Sequence, residues 1–339
     1  MKVIVLRNLG QFELETRPDP PSPDSGHALV KIERIGICGT DLHAYRGRHP
    51  FVKCPRVLGH ELGVQIEEVG DSALGLRAGD QCAVEPYLNC GRCIACRSSR
   101  INCCENLEVI GVHRDGGMCE RLLVPVEKLH KSDTLSLEQL ALIETLGIGA
   151  HGVDRAKLSP GENVLVIGAG PIGLGVIQFA QAAGANVIVM ERIPHRRDFC
   201  RDQLNVFATL DPANDPMAEL HSLTSGDLPT AVFDVTGNVD SMTTAFNFVA
   251  SGGRLIFVGL ITGNITFDDA EFHRRELTVF ASRNATSEDF PRIIRMVEDG
   301  QIDTKPWITH RCEFDQIIDE FPSWLDPEQR VIKAMVSVS

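Results

Sequence analysis

The sequence predicts an α/β chain with a β-rich first part and a doubly wound parallel sheet after it. Three observations carry this. At 339 residues the chain is too long for one ordinary core and suits two domains. Its first 150 residues are rich in glycine, proline and β-branched residues, with strand-like runs at 29–37, 63–69 and 81–84. From Pro160 onward, short apolar runs at 163–167, 186–190, 231–235 and 254–258 alternate with helical stretches such as 172–183. Continuous apolar runs of strand length suit a parallel sheet covered on both faces, and their alternation with helices gives the doubly wound arrangement. After about Ser282 the pattern changes again, with a helix at 290–298 ending at Gly300 and a last strand at 331–338.

Hydrophobic residues make up 43% and charged residues 23%, the composition of a soluble globular protein. No apolar run is long enough to span a bilayer, and Met1-Lys2-Val3-Ile4-Val5 opens no signal-like segment. A cytoplasmic protein without a membrane partner is expected. A net charge of −13 argues against nucleic acid, and it requires any anionic substrate to meet a local basic group. Eleven cysteines in such a chain are expected as metal ligands and buried thiols rather than disulfides.

Three motifs carry chemistry. The first is Cys90-Gly-Arg-Cys93-Ile-Ala-Cys96, with Cys104 after seven more residues. Thiolates at this spacing fold around one tetrahedral zinc, and a full set of four leaves no open position, so the site is structural. Cys103 competes with Cys104, and spacing selects Cys104. The second is Cys38-Gly-Thr40-Asp-Leu-His43 with Gly59-His60-Glu61 beyond it. Thiolate, imidazole and carboxylate suit a catalytic zinc with one position open, although Thr40 is equally a candidate helix cap. The third is Gly168-Ala-Gly170-Pro171-Ile172-Gly173, after one strand and opening a helix, with Glu191 ending a second strand eighteen positions after Gly173. Gly168 makes the turn, Gly170 admits a pyrophosphate at the helix N-terminus, and Gly173 lets helix pack on strand. Glu191 accepts from a ribose diol and repels a 2′-phosphate, favouring NAD over NADP; Arg192, Arg196 and Arg197 work against that preference.

In this order the motifs resemble the medium-chain dehydrogenase/reductase family, in particular its zinc-containing alcohol, sorbitol and threonine dehydrogenases, over essentially the whole chain. The resemblance implies a GroES-like catalytic domain at 1–150 and 285–339 and a Rossmann NAD-binding domain at 151–284. It implies two zincs per chain. Cys38 and His60 match the catalytic ligands, Glu61 the adjacent glutamate, and Glu144 a further ligand position, binding zinc directly or through water. Thr145 stands where a proline is usual. Thr40 and His43 match a proton relay that runs through the cofactor ribose to solvent. Arg196 is assigned to the cofactor with the fingerprint, and Thr236 and the Val258-Gly259-Leu260 turn match loops around the ribose and nicotinamide. Lys333 matches a basic residue that reaches the pyrophosphate.

Arg283 matches a pocket-facing arginine of the sorbitol-type enzymes, able to hold a carboxylate or several hydroxyls, with a surface salt bridge as its alternative. Residues 282–286, with 271–276 upstream, resemble bacterial L-galactonate-type oxidoreductases. The implied reaction takes hydride from a secondary hydroxyl of a sugar acid, or second a polyol, to NAD. An L-threonine or other small-alcohol dehydrogenase is the rival within enzymes, and an inactive nucleotide-binding zinc protein the rival outside them. Apolar sheet edges near 254–260 and 276–282 favour a homodimer or homotetramer.

Overall fold

The computed structural model describes residues 1–70 and 75–338. The chain forms two compact units, one of Met1–Thr145 with Thr286–Ser339 and one of Leu146–Ala285. It passes from the first to the second inside the helix Ile143–Ala156, with no linker to mark the point.

The first unit is built on His27–Ile37, whose alternate residues Ala28, Val30 and Ile32 are buried. Three strands pair with it antiparallel: Glu61–Val69, Arg121–Pro125 and Lys333–Ser337. Beyond them Gln81–Val84, Leu129–Lys131 and Ile308–Glu313 complete a seven-stranded sheet. Leu62, Val64 and Ile66 meet the central strand in one core, where each fully buried aliphatic side chain contributes about 1.5–3 kcal/mol. A hairpin of Lys2–Asn8 and Gln11–Thr16, to which the sequence pattern assigned no element, buries Val3 to Leu6 in the same core.

A buried ionic knot holds the returning segment. Lys128 Nζ lies 2.5 Å from Glu85, His130 bonds the other oxygen at 3.1 Å, and Ser287 Oγ donates to Glu85 at 2.9 Å. The His130 ring stacks on Phe290, with centroids 4.7 Å apart.

The second unit is a six-stranded parallel sheet. Its order is Ala208–Leu210, Asn186–Met190, Asn163–Ile167, Ala231–Asp234, Arg254–Phe257 and Thr278–Ala281. The inner strands are almost wholly buried, which is why they read as continuous apolar runs. Strand order reverses between Asn163–Ile167 and Ala231–Asp234, and the crevice beyond the carboxyl ends at such a point is where doubly wound sheets take ligands. Among the described residues, no helix is long and apolar enough to cross a membrane.

The knot gives a stability prediction. Burial works against the Glu85 carboxylate, but the His130 hydrogen bond and the Lys128 charge outweigh it and hold Glu85 below its ordinary value of 4.5. A depressed carboxylate stabilises the fold above its unfolded value, and that contribution is lost as pH falls through the folded one. Lys128→Met should cost about 3 kcal/mol in denaturant unfolding at neutral pH. It should also flatten the loss of stability below about pH 4.5. A variant as stable as the parent at pH 7 would remove the knot from the account.

Candidate active site and metal centres

Cys38 follows the central strand and caps the helix Gly39–Tyr45, so it, and not Thr40, is the N-cap. His60 and Glu61 stand at the start of the neighbouring strand Glu61–Val69. Register pairs Gly36 with Glu61 and sets both ligand-bearing segments at one end of the sheet. Ligand atoms of Cys38, His60 and Glu61 all lie within 4.8 Å of one another. His60 is 5% exposed and Glu61 0%. Burial alone would lower His60, but the charges of Asp41, Cys38 and Glu144 raise it well above the usual imidazole range. Surroundings this anionic attract a cation.

Glu144, in the first turn of Ile143–Ala156, lies outside that triad but is equally buried. The Tyr87 hydroxyl donates to its Oε1. Burial, reinforced by the charge of Glu61, raises its carboxyl.

Glu61 is held differently. Lys333 Nζ sits 2.7 Å from both of its oxygens and also donates to the Ile37 carbonyl at 3.2 Å. A Cβ on Gly36 would fall 2.1 Å from Glu61 Oε2, so only glycine leaves room for this carboxylate. The expectation that Lys333 reaches a cofactor pyrophosphate is corrected here. The side chain is 1% exposed and its ammonium is committed to Glu61, because a buried carboxylate without a cation is far costlier than one with it.

Asp41 was not singled out from sequence. It is fully buried, accepts from Cys38 N–H at 3.0 Å and Gly59 N–H at 3.4 Å, and lies 3.7 Å from His60 Nδ1. It thus joins the two ligand segments and faces the imidazole, as outer carboxylates do behind metal-bound histidines. Its place three residues after the capping Cys38 was the available signal. Tyr87 was missed as well, and no local signal points to it. Thr40 is half-buried and His43 exposed, three residues apart and so on one helix face. Burial, with the Arg48 and Arg46 charges, lowers His43.

The second cluster matches the spacing argument. Sulfurs of Cys90, Cys93, Cys96 and Cys104 lie within 4.8 Å of one another, while Cys103 is exposed and outside the group. Cys90 N–H donates to the Cys104 sulfur at 3.2 Å. Backbone N–H groups of Arg92 and Cys93 bring the Cys90 thiol down to about 6, whereas burial pushes Cys104 up to about 11. Both clusters fit zinc by donor chemistry: four thiolates close a tetrahedron, and a thiolate, imidazole and carboxylate leave it open.

In the second unit, Gly168 takes φ +101° and Gly170 caps the helix Pro171–Ala182, which opens with Pro171 and Ile172. A Cβ on Gly173 would fall 2.1 Å from the Gly168 carbonyl oxygen. Glu191 is 6% exposed and accepts from Ala169 N–H at 2.7 Å and Ile193 N–H at 2.9 Å, bracing the turn from below. A carboxylate has about four acceptor sites, so capacity for a ribose diol remains. Arg197 is paired with Asp211 at 2.8 Å and Arg192 is exposed, while Arg196 approaches the space above Gly170. Thr236 bonds Asp234 at 2.6 Å beside Gly168. The Val258–Gly259–Leu260 turn abuts Gly237 and leaves Leu260 70% exposed. Arg283 is exposed, beyond the edge strand Thr278–Ala281.

Residues 24–134 match the alcohol dehydrogenase GroES-like domain and residues 171–299 the zinc-binding dehydrogenase family. The chain is 43% identical to L-galactonate-5-dehydrogenase of Escherichia coli K12 over 94% of its own length and 93% of that protein. A zinc-binding dehydrogenase of Sinorhizobium meliloti 1021, solved with NADP, superposes with TM-score 0.91 at 29% identity over 99% of both chains. An alcohol dehydrogenase, rspB, of E. coli CFT073, solved with NADH, gives TM-score 0.92 at 29% identity, covering 100% of this chain and 99% of that one.

Metal counting separates the two clusters. Elemental analysis of Cys104→Ser should show one zinc fewer per chain and a lower melting temperature. Cys103→Ser should leave both unchanged. Loss of zinc on Cys103→Ser instead would overturn the choice of fourth ligand.

Proposed function

The chain belongs to the zinc-type alcohol dehydrogenase family, and we propose that it oxidises a secondary hydroxyl of a sugar acid, delivering hydride to NAD. The observation that carries the reaction class is the convergence of the Cys38 thiol and the His60 imidazole with the buried carboxylates of Glu61 and Glu144 around them. The sugar-acid choice rests on the likeness to L-galactonate-5-dehydrogenase, with a neutral polyol second.

Two zincs per chain fit the donors, one in the four-cysteine loop and one at Cys38 and His60. Of the two glutamates, Glu61 has the shorter reach to Cys38 and His60, but Lys333 occupies both of its oxygens. We therefore assign the third ligand to Glu144 and place Glu61 behind the site. Zinc held there by Cys38, His60 and Glu144 would supply Lewis acidity, able to lower the pKa of a hydroxyl from about 16 towards about 7. The dinucleotide that the Gly168–Gly173 turn and Glu191 would hold would supply the hydride acceptor for the carbinol carbon. The chain's own residues handle the proton: Thr40 takes it from the hydroxyl and His43 returns it to solvent. Alcohol and NAD⁺ thus give ketone, NADH and one proton. Arg283 is proposed to hold the substrate carboxylate.

NAD is preferred to NADP because Glu191 places negative charge where a 2′-phosphate would sit and Arg197 is committed to Asp211. Eleven unpaired cysteines suit a reducing compartment, the cytoplasm. The edge strand Thr278–Ala281, with Val279 38% exposed, is the proposed seam of a homodimer or homotetramer.

The test is NAD⁺ reduction by zinc-loaded protein across L-galactonate, other aldonates, polyols, L-threonine and simple alcohols, with NADP⁺ in parallel. Strong turnover of one aldonate, weakened in Arg283→Ala, is expected. Turnover confined to polyols or threonine would discard the sugar-acid reading. Because His43 titrates below the ordinary imidazole value of 6.5, it stays neutral and able to accept a proton down to more acidic pH. His43→Ala should cost about 10²-fold in turnover and remove the acid limb of the pH profile. An unaltered profile would exclude His43 from the relay.

A further inference from the structure

We infer that Tyr87 is a positioning residue for the catalytic metal site, fixing the Glu144 carboxylate through the hydrogen bond to Oε1 so that Oε2 is the oxygen offered to the metal. This deepens the proposed function and rests on Glu144 being a ligand there.

Tyr87 is 3% exposed, and its hydroxyl donates to a buried carboxylate that is itself 5% exposed. A phenol has one proton to donate, and here it goes to a single oxygen of Glu144. That divides the two oxygens of an otherwise symmetric group. Glu144 is borne on a helix and Tyr87 on the two-residue strand Tyr87–Leu88, 57 positions away in sequence. The contact therefore fixes the carboxylate against a separate element and not within its own helix.

The segment that carries Tyr87 is itself fastened at three points. Two residues before it, Glu85 is locked by Lys128 and His130. Strand pairing sets Tyr87 against Val109, and Phe290 meets its ring edge-on with centroids 6.4 Å apart. Three residues after it, Cys90 enters the four-cysteine cluster. Asn89 ties these together, approaching Lys128 Nζ at 3.4 Å and donating to the Cys96 sulfur at 3.8 Å. The hydroxyl is thus aimed by a rigid strap, the condition under which an outer donor can orient a ligand.

Outer partners of metal ligands typically matter by 10- to 100-fold in metal affinity. Tyr87→Phe keeps the ring and removes only the donor. In the full-length protein it should release the catalytic zinc to a chromophoric chelator roughly 10- to 100-fold faster, and it should shift the visible spectrum of protein with cobalt at that site. The four-cysteine zinc should not change. Parent-like release and spectrum overturn the inference.

Glu144→Gln distinguishes this from a failure of the underlying reading. If Glu144→Gln leaves release and spectrum untouched, Glu144 is not a ligand and both fall. If Glu144→Gln alters them and Tyr87→Phe does not, only the role of Tyr87 falls. An effect of Tyr87→Phe that persists undiminished in the double variant also overturns it.

Should Tyr87→Phe not fold, the parent protein still gives an answer, because the chain has two tyrosines. With 3-fluorotyrosine incorporated, and Tyr45→Phe used for assignment, the Tyr87 fluorine resonance should move when zinc is removed from the catalytic site. In Glu144→Gln that response should be lost. A resonance indifferent to zinc overturns the inference.

Discussion

A carboxylate taken out of water costs several kcal/mol unless a cation or well-placed donors meet it, and four in the first unit are buried almost completely. Asp41, Glu61, Glu85 and Glu144 are all within 5% of complete burial. Lys333 answers Glu61, Lys128 and His130 answer Glu85, and two backbone N–H groups answer Asp41. Glu144 has a tyrosine hydroxyl. Much of the architecture serves these pairings. Lys333 enters because its strand runs beside His27–Ile37, and Ser287 reaches Glu85 as the chain returns from the second unit.

The compensation is uneven around the catalytic cluster. Glu61 is met by an ammonium on both oxygens, while Glu144 receives a neutral donor on one. The proposed division of tasks between the two glutamates rests on that difference, since an anion already matched by lysine has less to offer a metal than one that is not. Asp41 supplies a third kind of support, holding the Cys38 and Gly59 backbones in one geometry while facing His60.

What the sequence made legible follows from chain distance. The four-cysteine loop could be read because its donors lie within fifteen residues, Cys90 to Cys104, and one turn geometry closes them. The parallel strands could be read because full burial writes an unbroken apolar run, and the Gly168–Gly173 fingerprint because steric limits admit only glycine at Gly173. Tyr87 with Glu144, separated by 57 positions, and Lys333 with Glu61, separated by 272, leave no periodic trace. Lys333 meets Glu61 only because its strand lies beside His27–Ile37, which no local pattern reveals.

The 272-residue separation between Glu61 and Lys333 also sets an order of events during synthesis. At about 5–20 residues per second, a ribosome needs roughly 15–50 s to travel from one to the other. All four cysteines of the compact loop have emerged early in that interval, so the nascent chain can close the loop on zinc while the second unit is still being made. Glu61 spends the same interval without its lysine. Order of translation therefore lets the four-cysteine loop close first, while Glu61, behind the other site, still lacks its lysine.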